Sequence, residues 1–150
     1  MKNRKYIRLK DYDYSNIGYY YITICINNRQ NILGEINNSI VELNILGKII
    51  EEEWLKLEGT YKNIKLDKYI IMPNHIHGII VIKEKKKISI MNIIGGYKSI
   101  TSRKCNKKIG IKNNKIWQRS YYERIIRNEK ELYKIRKYII ENPLKNKYDI

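Results

Sequence analysis

Both histidines of the chain lie in one short segment, residues 74–78 (NHIHG). Successive side chains of a β-strand point to opposite faces, so His75 and His77 would share one face. Two imidazoles in this arrangement can bind one cation and leave positions open for substrate oxygens. The apolar run at residues 78–82 (GIIVI) predicts an interior strand. The pattern fits two interpretations: a pair of metal ligands, or two incidental histidines, one packed and one exposed.

A second candidate pair, Tyr138 and Asn142, is spaced four residues apart near the end of the chain. Residues at this spacing lie on one face of a helix. A tyrosine hydroxyl titrates near pH 10 in water, so it is a weak nucleophile at neutral pH unless it is assisted. Each residue also has an ordinary structural interpretation, Tyr138 as a core or rim residue and Asn142 as the helix C-cap before Pro143.

The segment that carries this second pair has clear helix signals. Asn128 is a good N-cap, and Glu131 completes a capping-box pattern three residues later. The apolar stripe consists of Leu132, Ile135 and Ile139, with Ile140 as a further candidate. Because Pro143 cannot continue a helix, we expect the helix to end near Glu141 or Asn142.

The remaining patterns predict the elements that would hold these residues. Strands are expected at residues 18–26 and 40–43, within 61–72, and at 75–82, with a mostly extended segment at 116–126. Helices are expected from Asn44 to about Leu57, where Gly59 would stop the helix, and from Met91 to about Cys105. This order favours an α+β fold, an antiparallel sheet with helices on one face. A length of 150 residues suits a single domain, 1–150, in which residues 1–15 form a basic arm.

The composition is strongly basic, with 31 Lys+Arg against 15 Asp+Glu and a formal net charge of +16. Such charge favours a polyanionic partner, either nucleic acid or an anionic membrane surface. The chain is also rich in Ile, Lys, Asn and Tyr, which AT-rich coding favours, so part of the lysine excess reflects coding bias. Two cysteines exclude a disulfide framework and a cysteine-based zinc ribbon. Without a long apolar run or a signal peptide, we expect a cytoplasmic protein.

Four segments together resemble a known family, in its order and at its spacing. They are residues 71–82 (IMPNHIHGIIVI), 95–104 (GGYKSITSRK), 117–132 (WQRSYYERIIRNEKEL) and 135–144 (IRKYIIENPL). The two-histidine motif alone is a weak indication of the family, whereas the four segments together, in this order, are specific. With these segments the chain resembles the REP-associated tyrosine transposases, which belong to the single-tyrosine HUH transposases of bacterial insertion sequences.

The resemblance implies a ferredoxin-like or RRM-like antiparallel sheet, with a C-terminal helix that carries the catalytic tyrosine, Tyr138. It implies metal ligands at His75, His77 and Asn142, with Mg²⁺ or Mn²⁺ as the divalent cation. The implied activity is transposition: nicking and joining of single-stranded DNA at or near hairpins, through a 5′-phosphotyrosine intermediate. A bacterial, nucleoid-associated protein is expected, and such relatives act either as monomers or as homodimers.

Basic residues around the two motifs are candidates for binding the DNA backbone. These DNA-binding candidates are Lys98, Arg103, Lys104, Arg119, Arg124 and Arg127. Tyr122 is a candidate for base stacking, and Trp117 and Tyr121 fit either stacking or the core. The alternative function is a non-catalytic nucleic-acid-binding module on the same fold. A structural zinc protein is disfavoured, because two histidines without cysteine ligands do not fill the coordination sphere.

Overall fold

The computed structural model describes residues 12–143. In chain order its elements are β1 (Gly18–Cys25), β2 (Gly34–Asn37), β3 (Ile40–Leu43), α1 (Ile45–Leu55), α2 (Leu57–Thr60), β4 (Ile64–Met72), β5 (His75–Ile82), α3 (Ile90–Ile109), β6 (Tyr122–Ile126) and α4 (Glu129–Glu141). A single turn of 3-10 helix (Asn27–Arg29) follows β1. Four strands form one sheet in the spatial order β4-β5-β1-β6, and β2 and β3 form a separate hairpin.

Strand β5 lies in the interior of the sheet, antiparallel to β1 on one side and to β4 on the other. All of its residues are buried except the half-buried Val81. The predicted α+β class with an antiparallel sheet is therefore confirmed, and so is the interior position of the histidine strand. Because both faces of β5 are covered, its apolar residues run continuously instead of alternating with polar ones.

The two faces of the sheet are covered by different helices. Helices α1 and α3 cover one face and form the main core, in which Trp54 and Tyr97 meet edge to face at 5.5 Å. Helix α4 covers the opposite face around a smaller cluster, which consists of Tyr21, Ile79, Ile126 and Ile139. Since His77 and Ile79 are two residues apart on β5, the histidines share the face of α4.

Several boundaries differ from those predicted from the sequence. Gly59 does not stop the first helix: α1 ends at Leu55, before Lys56, and Gly59 lies inside the short helix α2. Helix α3 extends beyond Cys105 to Ile109, where Gly110 takes the left-handed conformation that ends a helix (φ 74°). The hairpin strand β2 has no strong alternation and was missed, and only Tyr122–Ile126 of the extended segment is a strand.

The described part of the predicted basic arm is packed against the domain. Tyr14 and Ser15 are buried, and the Tyr14 carbonyl accepts a hydrogen bond from the Ile90 amide at the start of α3. The rest of the arm, residues 1–11, lies outside the described residues, as do residues 144–150. Within residues 12–143, no helix combines the length and apolar character needed to cross a bilayer.

Gly78 of β5 packs against Trp54 of helix α1. A Cβ atom at this position would lie 2.4 Å from Cζ2 of Trp54, whose indole is fully buried. We expect Gly78→Ala to lower the free energy of unfolding by about 1–3 kcal/mol, because overpacking forces buried neighbours to shift. Urea denaturation followed by circular dichroism measures this change.

Gly95→Ala is the matched control. Gly95 lies on an exposed part of α3, and an added Cβ there meets no atom within 4 Å. Alanine should be neutral or stabilise the helix by about 0.5–1 kcal/mol. Equal stability of the Gly78→Ala variant and the wild type would show that Trp54 does not constrain β5.

Candidate active site

The two histidines lie side by side at the start of β5. Their ring centroids are 4.6 Å apart, and both side chains are buried. The strand begins directly after a tight turn in which Met72 pairs with His75 across a two-residue connection. Pro73 therefore occupies the turn, which suits the fixed φ of proline. The interpretation of one packed and one exposed histidine is wrong.

The ring nitrogens named Nδ1 contact different kinds of partner. Nδ1 of His77 lies 3.0 Å from the Tyr21 hydroxyl and 2.9 Å from the Thr23 hydroxyl. Nδ1 of His75 lies 2.6 Å from Oδ1 of Asn74. These three partners were missed by sequence reasoning. The available signal was alternation on β1: residues 21 and 23 have the same two-residue period as the histidines.

Helix α4 places Tyr138 over the histidine face. The Tyr138 and His77 rings meet edge to face with centroids 5.5 Å apart.

The predicted N-cap of α4 is confirmed, because the Asn128 side chain accepts a hydrogen bond from the Glu131 amide. The carboxylate of Glu131 reaches back to the amide of Arg127 and not to that of the N-cap, so the capping box is only half formed.

Asn142 follows the last residue of α4, one turn beyond Tyr138. Its side chain is fully buried, and neither amide atom has a hydrogen-bond partner among residues 12–143. Each buried polar group that lacks a partner costs about 1–3 kcal/mol. An amide kept in this environment, one helical turn from a tyrosine that touches a histidine, is suited to bind a ligand.

Helix α4 ends where it was predicted to end, with Asn142 as its C-cap.

The three predicted ligands, His75, His77 and Asn142, have the donor types of an open cation site rather than those of a closed structural one. Two imidazoles and one amide supply nitrogen and oxygen donors, which suit a divalent cation that also binds water or phosphate. No cluster of three or more His, Cys, Asp and Glu side chains able to bind a metal occurs in the described range 12–143. A structural zinc site takes four protein ligands, and these three side chains alone would leave a position open.

Three of the six DNA-binding candidates make intramolecular contacts. Nζ of Lys98 donates to the carbonyls of Gln118 and Arg119 at 2.6 and 3.0 Å, and burial lowers the pKa of Lys98. Lys104 pairs with the buried Glu53 of α1. Arg124 pairs with Glu131 at the start of α4.

The other three candidates, Arg103, Arg119 and Arg127, are exposed. Arg103 lines a groove of about 770 Å³ at the C-terminal end of α3, which we call the α3 groove. Lys107 and Lys112 line the same groove and were not predicted.

The aromatic candidates divide between the core and the site. Trp117 is buried and its Nε1 donates to the Thr101 hydroxyl at 2.9 Å, so the core interpretation is confirmed. Tyr121 packs against the same core. Tyr122 lies on the histidine face, where its ring meets that of Tyr21 at 6.0 Å.

The fold is that of transposases of known structure. A REP-associated tyrosine transposase bound to a REP hairpin matches with a TM-score of 0.67 and 20% sequence identity, over 99% of this chain and 75% of that chain. A Deinococcus radiodurans protein described as a transposase matches with a TM-score of 0.56 and 15% identity, over 95% of this chain and 97% of that chain.

The family model described as "Transposase IS200 like" matches residues 14–142, a range that includes both histidines, Tyr138 and Asn142. The chain therefore belongs to the IS200-like transposase family. A protein of Haemophilus influenzae, described as uncharacterized, is 37% identical in an alignment of 160 positions. The alignment covers 95% of this chain and 89% of that protein.

The ion pair between Asp67 and Arg136 holds α4 against β4. The guanidinium donates to both carboxylate oxygens, at 2.8 and 2.7 Å, and its hydrogen bond lowers the pKa of Asp67 below the usual 3.8. We expect Asp67→Asn to lower the free energy of unfolding by about 1 kcal/mol at pH 7. Thermal and urea denaturation between pH 2 and pH 7 measure the difference.

The sign of the pH dependence follows from the lowered pKa. The pair contributes its full stabilisation above the ordinary pKa of an aspartate and loses it as the pH falls through the folded-state value. The wild type and Asp67→Asn should therefore converge in stability below about pH 4. A difference that stayed constant down to pH 2 would exclude the ion pair as its cause.

Proposed function

We propose that the protein cleaves and rejoins single-stranded DNA through Tyr138, with a divalent cation bound by His75, His77 and Asn142. One observation carries the proposal. The buried amide of Asn142, without a hydrogen-bond partner in the described chain, follows one turn after a tyrosine whose ring contacts His77. Membership of a transposase family supports the same reaction class.

The proposed cation is Mg²⁺ or Mn²⁺. When bound, such a cation polarises the scissile phosphate and offsets the negative charge that develops on it. The ring nitrogens of His75 and His77 and the amide oxygen of Asn142 would hold it. The hydroxyls of Tyr21 and Thr23 engage Nδ1 of His77, so the ring presents its other nitrogen, Nε2, on the side away from them.

Tyr138 is the proposed nucleophile. Its oxygen attacks phosphorus in line, a Tyr–O–P bond forms, and the P–O3′ bond breaks. The leaving 3′ oxygen takes a proton and becomes a free 3′-OH, while the phenol proton passes to solvent. The phosphodiester energy is kept in the 5′-phosphotyrosine, so a 3′-OH of another strand can reverse the step and join DNA without ATP.

The proposed substrate is single-stranded DNA beside a hairpin. The REP-associated transposase with the same fold was solved bound to a REP hairpin, which supports a hairpin for this chain as well. A basic protein with a formal net charge of +16 attracts such a strand electrostatically. The reactive phosphate must reach a buried face between β5 and α4, which favours a flexible strand over a duplex.

The α3 groove is followed in the chain by a segment that reaches the end of the sheet carrying the histidines. The segment after the groove returns to the sheet there, since the carbonyl of Ile116 accepts from Asn27 and the amide of Gln118 donates to Cys25. Cys25 pairs with His75 across the strands. Helix α3 covers the face of the sheet opposite to the histidines, so a strand with its phosphate at the histidines would pass around this end of the sheet to reach Arg103 and Lys107. We include the α3 groove in the DNA-binding surface.

The first test is formation of a covalent adduct. The protein is incubated with a labelled single-stranded hairpin oligonucleotide and Mn²⁺, then run on a denaturing gel. We expect a protein–DNA adduct that disappears in Tyr138→Phe and in the presence of EDTA. Tyr133→Phe is the matched control, because Tyr133 lies on the same helix but is 66% exposed, and it should retain the adduct.

The opposite results separate the proposal from its alternative. An adduct that survives Tyr138→Phe would exclude Tyr138 as the nucleophile. Salt-sensitive binding without any adduct, unchanged by EDTA, would favour the non-catalytic nucleic-acid-binding module. Loss of the adduct in Asn142→Ala with retained DNA binding would support the role of the amide.

The second test concerns the α3 groove. Arg103→Gln with Lys107→Gln should weaken binding of the hairpin oligonucleotide, because fewer phosphates are neutralised. The slope of log affinity against log salt should become shallower by about 0.7 for each phosphate that the variant no longer neutralises. Fluorescence anisotropy at several salt concentrations, in the Tyr138→Phe background, measures binding without covalent chemistry.

Lys86→Gln with Lys87→Gln is the charge-matched control. These two exposed lysines follow Ile82, which pairs with Gly18 at the end of the sheet away from the histidines. The control should bind nearly as tightly as the parent protein. If both double variants lose affinity equally, only net charge matters and the α3 groove is not a DNA-binding surface.

A further inference from the structure

Asn74 makes a directed hydrogen bond to one of the two histidines. Its Oδ1 lies 2.6 Å from Nδ1 of His75. An amide oxygen only accepts hydrogen bonds, so this contact requires a proton on Nδ1. In the neutral ring, a proton on Nδ1 places the lone pair on Nε2, which is the form that binds a metal through Nε2.

The orientation of the Asn74 amide is fixed by a second contact. Its Nδ2 donates to the carbonyl oxygen of Arg29 at 3.3 Å. A flipped amide would place its oxygen against that carbonyl and its NH₂ group against the imidazole. Two acceptors would then face each other, so the arrangement with Oδ1 toward His75 is the favourable one.

The backbone on the other side of this contact is held in an uncommon conformation. Asn28 and Arg29 both have positive φ, 57° and 50°, which is rare for consecutive residues other than glycine. The turn is also tied to the β4–β5 connection, because the amide of Ile26 donates to the Asn74 carbonyl at 2.9 Å. The Arg29 carbonyl is thereby kept against the Asn74 side chain.

The contacts of His77 do not have this directional character. The hydroxyls of Tyr21 and Thr23 can each donate or accept a hydrogen bond, so they orient the ring without selecting its tautomer. Of the partners Tyr21, Thr23 and Asn74, it is Asn74, against His75, whose contacting atom can only accept a hydrogen bond. The structure therefore distinguishes the two histidines by what their Nδ1 atoms contact.

We propose that Asn74 is a positioning residue that holds His75 in the Nδ1–H tautomer, ready to bind a cation through Nε2. The inference rests on the proposed function, because it concerns a ligand of the same cation. It adds a role for a residue that is not one of the three proposed cation ligands. Partners of this kind orient metal-binding histidines and increase the affinity of a site.

The tautomer is measured directly by long-range ¹H–¹⁵N correlation spectra of the imidazoles, without metal or DNA. The chain has only two histidines, so both ring patterns can be followed at a pH where the rings are neutral. We expect His75 to be Nδ1–H in the wild type and to shift toward Nε2–H in Asn74→Leu. An Nε2–H pattern for wild-type His75 would overturn the proposal even if the leucine variant failed to fold.

Two further variants separate tautomer selection from general stability. Asn74→Asp keeps an oxygen acceptor and should retain the Nδ1–H pattern; the tautomer is its readout, because the added negative charge itself attracts a cation. Asn63→Leu is the matched control, since Asn63 is buried and its side chain, like that of Asn74, donates to a backbone carbonyl, that of Glu84 at 3.1 Å. It should leave the tautomer of His75 unchanged. An equal shift in Asn63→Leu would overturn the proposal.

Metal affinity gives a second readout. Asn74→Leu should bind Mn²⁺ at least about 10-fold more weakly than the wild type in a titration followed by electron paramagnetic resonance. Unchanged affinity together with an unchanged tautomer would overturn the role of Asn74. If the wild type binds no Mn²⁺, the proposed function fails, and the imidazole spectra still decide whether Asn74 selects the tautomer.

Discussion

The close packing of Trp54 against Gly78 is the contact on which the rest of the structure depends. It places the interior strand β5 directly on helix α1, with no room for a side chain at residue 78. With that face filled, the neighbouring residues His75 and His77 must point to the other face, which α4 covers. The covering helix brings Tyr138 and Asn142, so the packing of one side of the sheet determines where the polar residues of the other side meet.

Burial explains why the histidine face contains so many hydrogen-bonding groups. A polar side chain in an interior strand needs a partner within the protein, and β1 supplies hydroxyls while the turn before β5 supplies an amide. Asn142 differs, because neither atom of its amide has such a partner in the described chain. This fully buried amide is the main physical reason to place a ligand at this point.

The sequence was most informative where local chemistry decides the structure. The N-cap at Asn128 and the stop before Pro143 defined both ends of α4, and alternation placed the two histidines on one face. What local patterns do not contain are contacts between distant segments. Three such contacts join residues that are far apart in the chain. They are the ion pair of Lys104 with Glu53, the hydrogen bond of Lys98 to Gln118, and the hydroxyl contacts of His77. Asn74 is next to His75 in the sequence, yet the orientation of its amide is defined only by the turn conformation and the Arg29 carbonyl.

The two-residue connection between β4 and β5 has a consequence for how this chain can vary. Side chains alternate between the two faces along β5. Adding or removing one residue in that turn would therefore shift the register of the strand by one residue and exchange the faces of its side chains. The imidazoles would then enter the apolar core and Ile76 would face the helix that carries the tyrosine. The length of this turn is therefore tied to chemistry performed on another element, and insertions in the family should be tolerated in the β2–β3 hairpin long before they are tolerated here.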